Sequence, residues 1–202
     1  MATNKTDFFR ENSHFEFLRD NILPELYDSG CRKIRIWSAA SSSGEEPYTL
    51  AMVMEEFAAG HSGLDYSILG TDISTKVLTR AKEGVYKPDT VKGISDALRK
   101  RYFRKIEVNG DTMYEVLPRL KSRMRWGRFN LMSTNYNVPG PFEIIFCRNV
   151  LIYFDRENQR YIFSRLLEKL TPRGVVFLGH SESMAGISSQ TRSLAPSVFR
   201  AT

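Results

Sequence analysis

Two short stretches of this 202-residue chain carry side chains suited to holding a ligand. The first is Ser38-Ala39-Ala40-Ser41-Ser42-Ser43-Gly44-Glu45-Glu46, where small residues would let a bound molecule approach the backbone closely. It has one glycine and no G-x-G-x-x-G. Two carboxylates open the following helix where a phosphate would rest, which disfavours a phosphate cradle. Glutamates there suit a ligand with an ammonium and a sulfonium; equally, they complement the helix dipole in a tight turn with no ligand. The second stretch is Thr71-Asp72. An acid ending the second strand of a βαβ unit is placed to accept both ribose hydroxyls of an adenosine. The competing reading makes Asp72 the cap of the next helix, a task open to Ser74 or Thr75 as well. Turn and acid together indicate an adenosine cofactor and leave NAD and S-adenosylmethionine both open.

Other chemistries find less support. His14, His61 and His180 are scattered, with no metal-ligand spacing among them or with the cysteines, so no metal centre is expected. Cys31 and Cys147 lie far apart, which favours reduced thiols over a disulfide framework. There is no Ser-His-Asp or Cys-His arrangement. No apolar run approaches the ~18 residues needed to span a bilayer, and Met1 to Lys5 lack the apolar stretch of a signal peptide. A cytoplasmic protein is expected.

The elements that must carry these residues alternate. Phe15, Leu18, Ile22, Leu23 and Leu26 recur at helical spacing, with a kink or break expected at Pro24. The strand Lys33 to Ala40 precedes a helix through Leu50, Met54 and Phe57 to Gly60, with Ser41 to Ser43 available as caps. A second strand, Tyr66 to Ile73, leads into a helix ending near Gly84. A third pair is Phe142 to Cys147 and a helix from Asp155 to Leu170, closed by Pro172 and Gly174 and followed by the strand Val175 to Leu178. Such alternation specifies an α/β fold with a mostly parallel sheet. The rhythm breaks at residues 85–125, where Asn109-Gly110 signals a hairpin, so a small helix-plus-hairpin insertion is expected there.

The net charge of +6 sits in one place. From Arg99 to Arg128 there are ten basic and three acidic residues, +7, so the remainder sums to −1. Such a stretch can steer an acidic partner, bind nucleic acid or act only as a solvated face. No aromatic interleaving for base stacking accompanies it, because Tyr102, Phe103 and Trp126 fit a core or hairpin face better.

Five blocks, in order, resemble the CheR-type chemotaxis-receptor methyltransferase family. They are Thr3-Asn4-Lys5-Thr6-Asp7-Phe8-Phe9-Arg10-Glu11, Trp37-Ser38-Ala39-Ala40 with Gly44-Glu45-Glu46-Pro47-Tyr48, Tyr136 to Phe142, Phe146-Cys147-Arg148-Asn149-Val150-Leu151-Ile152-Tyr153-Phe154, and Gly179-His180-Ser181-Glu182. The resemblance implies a class I S-adenosylmethionine-dependent methyltransferase domain over 1–202: a Rossmann-like, mostly parallel sheet of seven strands with a small antiparallel β-subdomain inserted. It implies a cofactor site of Asn4, Thr6, Arg10, Glu45, Asp72, Asn130, Leu131, Asn149 and Val150, with Asp72 on the ribose and Asn130-Leu131 near the adenine. Arg10 and Tyr153 would face the transferring methyl group. The implied reaction is methyl esterification of glutamates on methyl-accepting chemotaxis receptors, releasing S-adenosylhomocysteine, by a monomer without nucleic-acid partner or membrane insertion. Family members usually carry a basic helical domain ahead of the catalytic one, and its absence here is expected because the chain begins almost at the first block.

The chemistry fits these residues. A glutamate carboxylate (reference pKa ~4.3) is already a nucleophile at neutral pH, so no general base is needed. Where amine-methylating relatives of this fold carry an Asp/Asn-Pro-Pro-Tyr/Phe run, this chain reads Arg148-Asn149-Val150-Leu151, which demotes base methylation. The alternatives are a cofactor-binding docking module or a methyltransferase acting on another acidic protein. Structural readings of single residues stand beside the functional ones: Phe8 and Phe9 as core anchors, Arg10 paired with Glu11 or Glu45, Tyr153 as a packed aromatic, and His180 as structural.

Overall fold

The computed structural model describes residues 6–182 and 191–201. Its N-terminal arm enters α1 (Ser13–Phe17), passes through a π-turn (Leu18–Ile22) and continues as α2 (Leu23–Asp28). The irregularity expected at Pro24 therefore takes the form of a wider turn just before it. Pro24 itself sits in the first turn of α2, where its missing N–H matters least. Phe15, Leu18, Ile22, Leu23 and Leu26 are all buried.

Then follow β1 (Lys33–Ser38), α3 (Glu45–Ala58), β2 (Asp65–Asp72) and α4 (Thr75–Glu83). The insertion comprises β3 (Val85–Tyr86), α5 (Pro88–Val91), α6 (Asp96–Tyr102), β4 (Phe103–Val108), β5 (Asp111–Val116) and α7 (Pro118–Lys121). The main fold resumes with β6 (Met124–Arg128), β7 (Phe142–Cys147), α8 (Arg156–Leu167), β8 (Leu170–Leu178), β9 (Thr191–Ala195) and β10 (Val198–Ala201). The seven-stranded sheet has the order β6-β2-β1-β7-β8-β10-β9; the pairs from β6 to β8 are parallel, and β10 is antiparallel to both its neighbours. The insertion forms a separate antiparallel sheet, β3-β5-β4, whose β4–β5 turn places Asn109 and Gly110 both at positive φ.

The central strands are apolar on both faces, as a sheet covered by helices requires. Ile144, Phe146, Val175 and Phe177 join the core shared with α1 to α3, while Ile145, Cys147, Val176 and Leu178 join the core under α8. Both cysteines are free thiols, Cys147 fully buried.

Four expectations change. The insertion ends by Lys121, because Met124–Arg128 is a parallel strand of the main sheet; two arginines, a glycine and an edge position conceal its alternation. Helix α8 stops at Leu167, and Pro172 and Gly174 lie inside β8, at a register shift against β7, where proline can be tolerated. None of Ser41 to Ser43 caps α3; Gly44 takes the cap position at φ +99, and an added Cβ there would meet the Tyr86 hydroxyl at 2.9 Å. The three histidines are not all scattered, since folding brings His14 and His180 together. Among the described residues no helix is long and apolar enough to cross a membrane.

Candidate active site

A cavity of about 410 Å³ opens at the carboxyl ends of the parallel strands, where open α/β sheets bind ligands. Its size is within the roughly 300–1,000 Å³ usual for small-molecule sites. Each wall comes from a loop following a strand: Ala39 to Ser42 after β1, Asp72 and Ile73 after β2, Phe129 to Leu131 after β6, and Arg148 to Phe154 after β7. The N-terminal arm closes the cavity with Thr6, Asp7 and Arg10.

The β1 loop and Asp72 form one unit. Asp72 accepts the Ser42 N–H at 3.0 Å on one oxygen and the Ser74 N–H at 2.9 Å on the other. A carboxylate has about four acceptor positions, so this tie leaves capacity for two ribose hydroxyls. The hydroxyls of Ser41 and Ser42 are buried in the lining without a hydrogen-bond partner among the described residues. Unpaired donors beside an acid with spare acceptor capacity fit a polar nucleoside ligand.

The two glutamates opening α3 part ways. Glu45 is not in the lining but lies behind it; it accepts from the Ser43 hydroxyl, hydrogen-bonds Thr6, lies near Asp7 and is 4% exposed. Glu46 lines the cavity, accepting from Ser38 Oγ at 2.7 Å and from Arg148 at 3.3 Å. Burial raises both carboxyls above the ordinary glutamate value, with Arg148 opposing the rise at Glu46.

Arg148 organises the cavity floor. Its side chain is 2% exposed and also donates to the Arg10 carbonyl and to Glu11, the latter at 3.0 Å. Glu11 accepts from the Asn149 amide at 2.9 Å and from the His180 N–H at 3.2 Å. Burial alone would raise Glu11, but hydrogen bonds from Asn149 and Arg148 outweigh it and hold the carboxyl below its usual value. His14 packs edge-on against His180, with ring centroids 4.5 Å apart. Burial, with help from nearby Arg148, lowers His14 to about 4, so its ring is neutral at physiological pH. Glu11, His14 and His180 thus converge within 4.8 Å, although Glu11 already serves three donors, one of them a guanidinium.

Of the expected residues, Thr6, Arg10, Asp72, Asn130, Leu131, Asn149, Val150 and Tyr153 share this lining. Glu45 lies outside it, and Asn4 lies outside the described residues. Tyr153 is 54% exposed, at the cavity mouth beside exposed Ile152. Ser41, Ser42 and Glu46 belong to the turn that the sequence marks as ligand-holding but not to the implied cofactor site, and Arg148, within the fourth block, had been given no role in the site.

Residues 4–198 match the family described as CheR methyltransferase, SAM binding domain. A probable chemotaxis protein methyltransferase from Rhizobium etli is 43% identical, over 92% of this chain and 70% of that protein. The chemotaxis protein methyltransferase of Escherichia coli is 38% identical, over 92% of this chain and 63% of its own length. The chain therefore spans between 63% and 70% of these two relatives. Among solved structures, a Clostridium thermocellum protein provisionally named an rRNA-methylase superposes with a TM-score of 0.50 at 10% identity, covering 98% of this chain and 95% of that one. That likeness bears on the fold alone. By sequence match along nearly its whole length, the chain belongs to the CheR methyltransferase SAM-binding domain family.

Proposed function

We propose that this domain methyl-esterifies glutamate side chains on methyl-accepting chemotaxis receptors, using S-adenosylmethionine and releasing S-adenosylhomocysteine. The observation that carries the reading is that one cavity is lined both by Asp72, Asn130 and Leu131 and by Arg10 and, at its exposed edge, Tyr153. The names of the chemotaxis methyltransferases it is similar to support the same reading.

When bound, S-adenosylmethionine supplies a methyl group on an electrophilic sulfonium. Asp72 would hold the ribose, Asn130 and Leu131 would flank the adenine, and Thr6, Ser41 and Ser42 offer further polar contacts. The acceptor carboxylate is ionised at neutral pH and needs no base. The residues at the mouth therefore have to orient it and keep water from the reacting centre. Arg10 can hold a carboxylate in its guanidinium fork, and the Tyr153 hydroxyl can donate to the acceptor or the cofactor.

Docking of an acidic receptor surface falls to the basic stretch from Arg99 to Arg128, which runs from the insertion into β6 and whose free charge is smaller than its sequence count of +7. Arg101 pairs with Glu56, Arg123 with Asp65, Arg99 with Asp96, and Arg104 and Lys121 share Glu115. Lys100, Lys105 and Arg125 remain exposed and outside these pairs. The decisive experiment incubates the chain with radiolabelled cofactor and receptor fragments and follows base-labile release of methanol, the mark of an ester. Cofactor binding without transfer to any receptor fragment would support the docking-module alternative instead.

A further inference from the structure

We infer that Glu182 is a positioning residue: its buried carboxylate fixes the turn that carries Asn149, Val150 and Tyr153 into the cavity. The carboxylate accepts four backbone N–H groups from two segments. One oxygen takes Gly179 at 2.6 Å and Asn149 at 2.9 Å; the other takes Leu151 at 2.7 Å and Ile152 at 3.4 Å. Glu182 is 5% exposed, and its own N–H returns to the Gly179 carbonyl at 2.9 Å.

The turn needs such a clamp. Asn149 sits at φ +57, a conformation a non-glycine residue keeps only when its surroundings hold it. Beyond it, Leu151–Tyr153 is a single 3₁₀ turn without a side-chain cap from Val150. The first N–H groups of such a turn have no partner within it, and Leu151 and Ile152 send theirs to Glu182. Glu11 fixes the same turn from the other side through the Asn149 side chain.

The rest of the Gly179 to Glu182 block follows. A Cβ at Gly179 would lie 2.6 Å from the Asn149 side-chain nitrogen and 2.8 Å from Glu182 Oε2. Only glycine lets the end of β8 approach the turn closely enough for one carboxylate to span both segments. This goes beyond the proposed reaction, and only its kinetic part rests on it.

Glutamine tests the clamp at nearly constant shape. It keeps one acceptor oxygen but turns an N–H₂ toward the other pair of N–H groups, so half the clamp is lost. In Glu182→Gln, amide exchange at residues 150–153 should accelerate by at least about tenfold, while β1 and β2 stay protected. Affinity for S-adenosylhomocysteine, measured by calorimetry, should fall several-fold because Asn149 and Val150 lose their positions. With a receptor fragment, kcat should drop more than about tenfold while KM stays within about threefold. Glu182→Asp, one methylene shorter, should not rescue either quantity. Leu166→Ala in α8, a residue that makes none of these hydrogen bonds, serves as a control that lowers thermal stability. Should Glu182→Gln fail to fold, Gly179→Ala displaces the turn while keeping the carboxylate, and the same signature is expected. Wild-type exchange and cofactor affinity in the folded variant would overturn the inference, as would kinetic losses no larger than those of Leu166→Ala at equal loss of stability. The exchange and calorimetry arms need no methyl acceptor, so failure of the wild type to methylate receptors would count against the proposed reaction and leave these arms to decide Glu182.

Discussion

Asp72 joins two loops through Ser42 and Ser74 while it faces the cavity. Hydrogen bonds to a charged group are worth roughly 1.5–3 kcal/mol each, so Asp72→Ala should weaken S-adenosylhomocysteine binding by at least about tenfold in calorimetry. Unchanged affinity would sink the ribose assignment. At the mouth, Arg10→Lys and Tyr153→Phe should lower kcat more than cofactor affinity, since an ammonium cannot reproduce the guanidinium fork and a phenyl ring cannot donate. Near-normal turnover in both would leave Tyr153 a surface aromatic and Arg10 a structural ion. His14 makes a prediction about pH. Its folded-state value, about 4, lies below the ordinary histidine value of 6.5, so between these pH values the unfolded chain binds a proton that the folded chain does not. The stabilisation is complete above pH 6.5 and is lost as pH falls toward 4, on the order of 3 kcal/mol in all. In His14→Phe, urea midpoints should vary less across this window; the same slope in both proteins would refute the assignment.

At the scale of elements, the sheet positions most of the site residues, on the loops that follow β1, β2, β6 and β7. Phe146 on β7 is fully buried, stacks on Phe15 and Phe177, and lies two residues before Arg148. Removing its ring should destabilise the domain by about 3–5 kcal/mol, because the transfer and cavity terms add. Urea denaturation of Phe146→Ala would measure this, and a loss below about 1 kcal/mol would mean that β7 can collapse around the gap. The continuous apolar runs of β7 and of Val175 to Leu178 in β8 were plain in sequence because both faces are buried. Strand β6 was not, since an edge strand satisfies one neighbour only and tolerates arginine on its open side.

For the whole molecule, the insertion is the element that can meet a large partner without disturbing the cavity. Lys100→Glu with Lys105→Glu should raise KM for a receptor fragment several-fold at low salt and flatten its salt dependence, with kcat and cofactor affinity close to wild type. Steady-state methylation at low and moderate salt is the measurement, and equal KM at low salt would make the patch a solvated face. Reversing Arg119, Lys121 and Arg123 is a poorer test. Lys121 also donates to the Glu83 carbonyl, and Arg119 packs over Tyr102, so those changes would unsettle the subdomain itself.

The sequence by itself determined the α/β alternation, the hairpin at Asn109-Gly110, the place of Asp72 and the blocks that bring Arg10, Asn149 and Tyr153 to notice. Each of these depends on local periodicity, local turn chemistry or a contiguous run of residues. Only the tertiary structure decided which of two adjacent glutamates faces the cavity, because the left-handed cap at Gly44 sets the rotation of the first turn of α3. It alone paired β9 and β10 with the sheet, where few apolar residues mark them. It also cancelled part of the basic excess with Glu56, Asp65 and Asp96, and it drew Glu11, Arg148 and Glu182 around one turn. Those relations join groups far apart in the chain, Arg148 and Glu11 by 137 residues, and no local pattern records which charged groups will share one buried space.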